Sequence, residues 1–155
     1  MRGLRLLLAS CLLLVTVNVA AGEFAFKDMQ GKEQRLSDYK GKWVLVNFWA
    51  TWCPPCLEEI PDLVDMHNDH KDSDLVVIGI AMSSAKDSVL AFAKQLDISY
   101  PIVMGSDRIA AQIGKVEALP ISYLYDPTGK LVSYQQGIVT RAAIEGYIRS
   151  KSGKN

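Results

Sequence analysis

The chain has 155 residues, in which 17 lysines and arginines balance 17 aspartates and glutamates. This length predicts one domain whose core is large enough to fold without disulfide staples. Hydrophobic residues make up 49% of the chain and charged residues 22%, which is the composition of an ordinary soluble domain. The balanced charge, without a basic block, argues against nucleic acid as a partner.

The amino-terminal segment has the composition of an export signal. Two arginines precede an apolar run at residues 6–21, and the run ends in small residues that suit cleavage. The run is shorter than the ~20 residues that usually span a bilayer. We therefore predict a signal peptide over residues 1–21 and a folded domain over residues 22–155. An uncleaved anchor, which would be the one membrane contact, and lipidation of Cys11 are the alternatives.

Hydrophobic periodicity and turn residues predict the elements of the folded domain. In chain order they are a hairpin at 24–28 and 32–35, a strand at 43–49, a helix from Pro54 with Pro61 inside it, a strand at 75–82, a helix at 86–96, a short strand at 102–104, a helix at 107–113, a hairpin at 121–125 and 130–134, and a last helix capped by Thr140. The strand at 43–49 is apolar on both faces apart from Asn47, which is typical of a central strand. Strands that alternate with helices and then end in a hairpin and a helix indicate a mixed sheet covered on both faces.

Two cysteines stand directly after the predicted central strand, in the sequence Trp-Cys-Pro-Pro-Cys. Cys53 falls at the first turn of a helix, where unpaired N–H groups and the helix dipole favour a negative charge. A thiol attacks as its thiolate, so we predict that Cys53 is the exposed nucleophile. Cys56 lies one turn further in, and we predict that it is the buried thiol that resolves a mixed disulfide. The alternative is an inert pair or an idle local disulfide.

Two histidines follow the cysteines at a spacing that superficially resembles a zinc site, since ten residues separate Cys56 from His67 and two separate His67 from His70. The usual spacings are longer, ~12 and ~3–5 residues. His67 also falls on the apolar stripe of its helix. We therefore expect structural histidines and no bound metal. A module that holds copper or zinc through Cys53, Cys56 and a histidine is the alternative.

The segment from residue 41 to residue 61, GKWVLVNFWATWCPPCLEEIP, resembles the thioredoxin superfamily. It is most similar to the extracytoplasmic TlpA/ResA branch, which includes cytochrome c maturation reductases. The resemblance covers nearly all of residues 24–149. It implies an α/β thioredoxin fold, with a mixed central sheet flanked by helices, an amino-terminal hairpin and a helix–strand insertion before a cis-proline.

The resemblance also implies roles for residues outside the cysteine pair. Pro120 matches the cis-proline, which would offer backbone groups to an extended partner peptide. Glu59 matches an acid beneath the thiols, where a half-buried carboxyl of raised pKa could shuttle the proton of the resolving thiol. A solvated helix charge is the alternative for Glu59. Trp52 and Leu119 complete the expected substrate contacts.

Two positions depart from the family pattern. Asn47 stands where ordinary thioredoxins have a buried aspartate, and this leaves Glu59 as the acid placed for the proton role. The family often has a threonine after the cis-proline, whereas this chain has Ile121 followed by Ser122. The partner groove is therefore predicted to be more apolar.

The resemblance implies a periplasmic thiol-disulfide oxidoreductase that acts mainly as a reductant of protein disulfides, with apocytochrome c as a candidate substrate. Electrons would come from a membrane thiol donor, and the chemistry needs no bound cofactor. An oxidase that introduces disulfides would use the same residues in the opposite direction, which the redox potential decides. A peroxidase is disfavoured, because peroxidases of related fold prefer Thr-X-X-Cys and Thr51 stands two residues before Cys53.

Overall fold

The computed structural model describes residues 23–153. The predicted signal peptide and Cys11 lie outside the described residues. The elements, in chain order, are β1 Ala25–Lys27, β2 Glu33–Arg35, a 3-10 turn Leu36–Tyr39, β3 Trp43–Trp49, α1 Pro54–His70, β4 Leu75–Ala81, α2 Lys86–Gln95, β5 Ile102–Met104, α3 Asp107–Ala110, β6 Ile121–Tyr125, β7 Leu131–Gln136 and α4 Arg141–Lys151. Between residues 23 and 153, no helix has the length and apolar character needed to cross a membrane.

Five strands form one mixed sheet in the order β5-β4-β3-β6-β7. The β3–β4 and β4–β5 pairs are parallel, and the β3–β6 and β6–β7 pairs are antiparallel. β1 and β2 form a separate antiparallel hairpin. The segment α2-β5-α3 comes before the cis Leu119–Pro120 bond. The predicted thioredoxin fold, with its amino-terminal hairpin and its insertion, is confirmed.

The sheet separates two apolar layers, and β3 contributes to both because its side chains alternate. Leu45 and Trp49 pack in the layer that also contains Cys56 and buried residues of α1 and α4. Val46 and Phe48 pack in the layer under the amino-terminal hairpin and α3. All seven residues of β3 are buried. The strand that leads into the cysteine turn is therefore held from both sides.

The observed elements differ from the predicted ones mainly at their ends. The 3-10 turn Leu36–Tyr39 was not predicted; it begins where the Asp38 carboxylate accepts a hydrogen bond from the Arg35 N–H. α3 ends at Ala110 rather than at residue 113, and the chain continues in turns. α4 begins after the predicted Thr140 cap and continues to Lys151.

Candidate active site

The two cysteines occupy the start of α1. Cys53 is the N-cap residue, and its carbonyl accepts a hydrogen bond of 3.0 Å from the Cys56 N–H. The two sulfurs are joined in a disulfide of 2.05 Å. Cys53 is 5% exposed, whereas Cys56 is fully buried. The order of exposure follows the prediction, although only the edge of Cys53 reaches the surface.

Trp52 presents a large aromatic surface next to Cys53. The side chain is 61% exposed, and its indole N–H donates a hydrogen bond of 2.9 Å to the Ser83 carbonyl. The Thr51 N–H donates to the Ser84 hydroxyl at 3.1 Å. The turn that carries the cysteines is thus tied to the loop that follows β4. The exposed ring is held in place by its polar edge, so its apolar face remains open to a partner.

Pro120 lies at the same end of the sheet as the cysteine turn. Phe48 pairs with Ile121 in the antiparallel β3–β6 register, so Pro120 comes beside the carboxyl end of β3, where the chain turns towards the cysteines. The Leu119–Pro120 peptide bond is cis, as predicted. The Gly137 N–H donates a hydrogen bond of 2.9 Å to the Pro120 carbonyl, which brings the loop after β7 to this edge as well.

Glu59 is more deeply buried than the predicted half-buried carboxyl, with 2% of the residue exposed. One of its oxygens accepts a hydrogen bond of 2.6 Å from the Asn47 amide, and the other accepts one of 2.8 Å from the Val139 N–H. Burial raises the pKa of Glu59 from its ordinary value of 4.5 to about 7, although both hydrogen bonds act in the opposite direction. Near neutral pH the group can therefore hold or release a proton.

The partners of Glu59 were not predicted from the sequence. Asn47 carried a signal, because it is the polar residue in an otherwise apolar strand, but its role as a donor to Glu59 is new. Ser122 is a polar residue in the buried strand β6, and its hydroxyl accepts a hydrogen bond of 3.0 Å from the same Asn47 amide. Val139 contributes its backbone N–H, which no side-chain pattern could indicate.

His67 and His70 contact groups other than the cysteines. The Nδ1 atom of His67 accepts a hydrogen bond of 3.1 Å from the Val77 N–H, and burial lowers the pKa of His67 to about 4. His70 contacts the carboxylates of Asp74 at 2.8 Å and Glu145 at 3.1 Å. Within residues 23–153, no group of three or more histidine, cysteine or acidic side chains is arranged to hold a metal ion.

A disulfide at the start of the helix that follows the central strand of a thioredoxin fold defines the class of thiol-disulfide oxidoreductases. The chain belongs to the AhpC/TSA family, whose profile matches residues 17–134.

Relatives and solved structures agree with this class. The chain is 34% identical over 128 residues to the thiol-disulfide oxidoreductase ResA of Bacillus subtilis, across 83% of this chain and 72% of that protein. It is similar to a thioredoxin-family thiol:disulfide interchange protein from Chlorobium tepidum, with a TM-score of 0.76 and 28% identity over 83% of this chain and 92% of that one. It is also similar to an exposed lipoprotein thioredoxin from Streptococcus pneumoniae, with a TM-score of 0.70 and 30% identity over 83% and 98% of the two chains. The predicted enzyme class is confirmed.

Proposed function

We propose that this enzyme exchanges disulfides with protein partners through Cys53 and Cys56, mainly as a reductant. In the reduced enzyme, the Cys53 thiolate attacks a partner disulfide, forms a mixed disulfide and expels one partner thiolate. Cys56 then attacks the Cys53 sulfur, which closes the disulfide within the enzyme and expels the second partner thiolate. Two electrons pass to the partner. The observation that carries the proposal is the bonded pair at the start of α1, in which Cys53 is 5% exposed and Cys56 is fully buried.

Glu59 is proposed to accept the proton of the resolving thiol. A cysteine thiol has a pKa of ~8.5, so at neutral pH it needs a base in order to attack. Glu59 follows Cys56 by three residues on α1, a spacing that puts two side chains on the same helix face. A carboxyl whose pKa is about 7 is matched to this transfer at neutral pH.

Pro120, Leu119 and Trp52 are proposed to contact the partner. An extended partner segment would pair with the backbone at Pro120, in the manner of strand addition to a sheet edge. Leu119 is partly buried, and Trp52 contributes the most exposed large apolar surface next to the cysteines. Ile121, the residue after Pro120, is 4% exposed and packs in the core, so the apolar surface offered to a partner comes from Trp52 and Leu119.

The periplasm is the proposed location. The signal-like residues 1–21 support it, and so does the use of a lone Cys-X-X-Cys pair, which suits redox chemistry in an oxidising compartment. The similar pneumococcal protein is named an exposed lipoprotein. A membrane thiol donor would return electrons to the enzyme, and apocytochrome c is the proposed substrate on the strength of the family resemblance.

Trapping tests the roles of the two sulfurs. In a Cys11→Ser background, Cys56→Ser is expected to accumulate mixed disulfides with partner proteins on Cys53, because the second attack is lost. Cys53→Ser is the matched control and is expected to trap none. Trapping that requires Cys56 intact and Cys53 removed would show that the roles are reversed.

A redox titration against glutathione tests the direction of exchange. A reductant is expected to have a potential near that of thioredoxin, about −270 mV. A potential as oxidising as that of DsbA, about −120 mV, would overturn the reductant assignment and favour an oxidase.

A further inference from the structure

A buried amide connects Glu59 to the strand that follows the cis-proline. Asn47 lies on β3 and is fully buried. Its amide nitrogen donates one hydrogen bond of 2.6 Å to Glu59 and another of 3.0 Å to the hydroxyl of Ser122, the residue opposite it in the β3–β6 register. Both hydrogens of this amide therefore have acceptors, and neither acceptor is adjacent to Asn47 in the sequence.

The orientation of the Asn47 amide is matched to an ionised carboxylate. Its carbonyl oxygen is buried and has no hydrogen-bond partner among residues 23–153, an arrangement that costs folding free energy. The opposite orientation would place that oxygen against Glu59, and an ionised carboxylate can only accept hydrogen bonds. The hydroxyl of Ser122 accepts the second N–H, so in the donating orientation both amide hydrogens have an acceptor.

Asn47 is the side chain among the described residues that opposes the effect of burial on Glu59. Two hydrogen bonds lower the pKa of Glu59, one from the Val139 backbone and one from Asn47, while burial raises it. The backbone donor is the same whichever side chain stands at position 139. The proton affinity of Glu59 can therefore be adjusted through Asn47 and through the residue that orients it.

We propose that Asn47, oriented by Ser122, is a positioning residue that keeps Glu59 able to accept the Cys56 proton at neutral pH. The inference rests on the proposed role of Glu59. In the resolving step, the Cys56 S–H proton passes to the Glu59 carboxylate, which becomes a neutral acid. The sulfur electron pair forms the bond to Cys53, the bond from Cys53 to the partner breaks, and the expelled partner thiolate takes up a proton.

The other titratable groups near Glu59 do not take over the effect of Asn47 on its proton affinity. Tyr100 lies in the segment before β5, and burial together with the charge of Glu59 raises the pKa of its hydroxyl, so the ring stays neutral at physiological pH. Asp62, one turn further along α1, accepts a hydrogen bond of 3.1 Å from the Arg141 N–H at the start of α4. Cys56 lies one turn before Glu59 on α1, and it does not titrate while the disulfide is closed.

The test measures the titration of the Glu59 carboxyl carbon by NMR in the oxidised protein, in which the cysteines do not titrate. Asn47→Leu removes the donor and is expected to raise the Glu59 pKa by about one to two pH units, because a hydrogen bond to a charged group is lost. Ser122→Ala frees the amide and is expected to raise the pKa by a smaller amount. Ser122→Thr keeps the hydroxyl at a position that lines a surface cavity of about 240 Å³, and this variant is expected to keep the wild-type titration.

The pH profile of mixed-disulfide resolution gives a second readout on the reduced enzyme. The midpoint of this pH profile is expected to rise together with the Glu59 pKa in Asn47→Leu and in Ser122→Ala. In Ser122→Thr it is expected to lie at the wild-type pH. Folded Asn47→Leu or Ser122→Ala protein with an unchanged Glu59 titration would overturn the inference. The NMR titration can show a shifted Glu59 pKa in the Asn47 and Ser122 variants while Glu59→Gln leaves the pH profile of mixed-disulfide resolution unaltered. This result would refute the proposed role of Glu59 as the proton acceptor, and it would still establish that Asn47 controls the pKa of Glu59.

Discussion

Replacing Glu59 by glutamine is expected to raise the free energy of unfolding of the oxidised protein relative to wild type, and this gain is expected to be larger at alkaline pH than at acidic pH. Burial raises the pKa of Glu59 to about 7 in the folded protein, against 4.5 for an ordinary glutamate. Between these values the folded protein keeps a proton that the unfolded chain has lost. Folding free energy is therefore lost as the pH rises from about 4.5 to about 7, and the whole loss is present above that window.

The magnitude follows from the difference between the two pKa values. A difference of about 2.5 pH units, at about 1.36 kcal/mol for each unit, corresponds to about 3 kcal/mol in the free energy of unfolding. Glutamine is neutral throughout and does not have this penalty. Relative to wild type, Glu59→Gln should gain about 3 kcal/mol between about pH 4 and about pH 8, on top of any constant offset from its altered hydrogen bonds.

Urea unfolding at pH steps across this range measures the gain directly, with the disulfide kept closed so that Cys56 does not contribute. Glu58→Gln is the matched control, because it removes the same charge from an exposed position on the same helix. Unfolding free energies of wild type and Glu59→Gln that change in parallel with pH would refute the reasoning. They would mean that burial and the two hydrogen bonds leave Glu59 with the same proton affinity in the folded and unfolded states.

Further predictions concern positions outside the active site. Burial lowers the pKa of His70, but the carboxylates of Asp74 and Glu145 together outweigh it and raise the pKa above its ordinary value of 6.5. The contribution of His70 to stability is therefore present below that value and is lost as the pH rises through the higher folded pKa. His70→Gln should therefore destabilise the protein by about 1 kcal/mol or less near pH 5.5 and by less near pH 9, and an equal effect at both would contradict the ion pairs. Gly79→Ala should lower the free energy of unfolding by about 1–3 kcal/mol, because its methyl group would lie 2.8 Å from the buried Tyr100 ring. Gly146→Ala, in α4, is the matched control and should stabilise the protein by about 0.5–1 kcal/mol. A higher urea midpoint of unfolding for Gly79→Ala than for Gly146→Ala would refute the packing argument.

Local interactions explain why most elements could be predicted. All seven residues of β3 are buried, and six of them are apolar, as the composition of the strand indicates. The hydroxyl of Thr140 accepts a hydrogen bond from the Ala143 N–H and begins α4, as predicted for a cap. The Asp126 carboxylate accepts hydrogen bonds from residues of its own turn. Each of these features depends on residues close together in the chain, so periodicity and capping patterns are sufficient to find them.

The cysteine pair also belongs to this local class. Cys53 and Cys56 are three positions apart, and a strand followed by a helix places them at the helix start whatever the rest of the chain does. The sequence by itself therefore determined the fold class and the position of the thiol site. The resemblance to the thioredoxin superfamily singled out Glu59 as the acid beneath the thiols.

The properties of Glu59 were decided by the tertiary structure. Its two hydrogen-bond donors lie 12 and 80 positions away in the chain, and the serine that orients Asn47 lies 75 positions from that asparagine. No local pattern connects β3, β6 and the loop after β7, because sheet pairing and layer packing bring them together only on folding. Burial and distant donors set the proton affinity of a carboxyl, and both come into being only when the chain is folded.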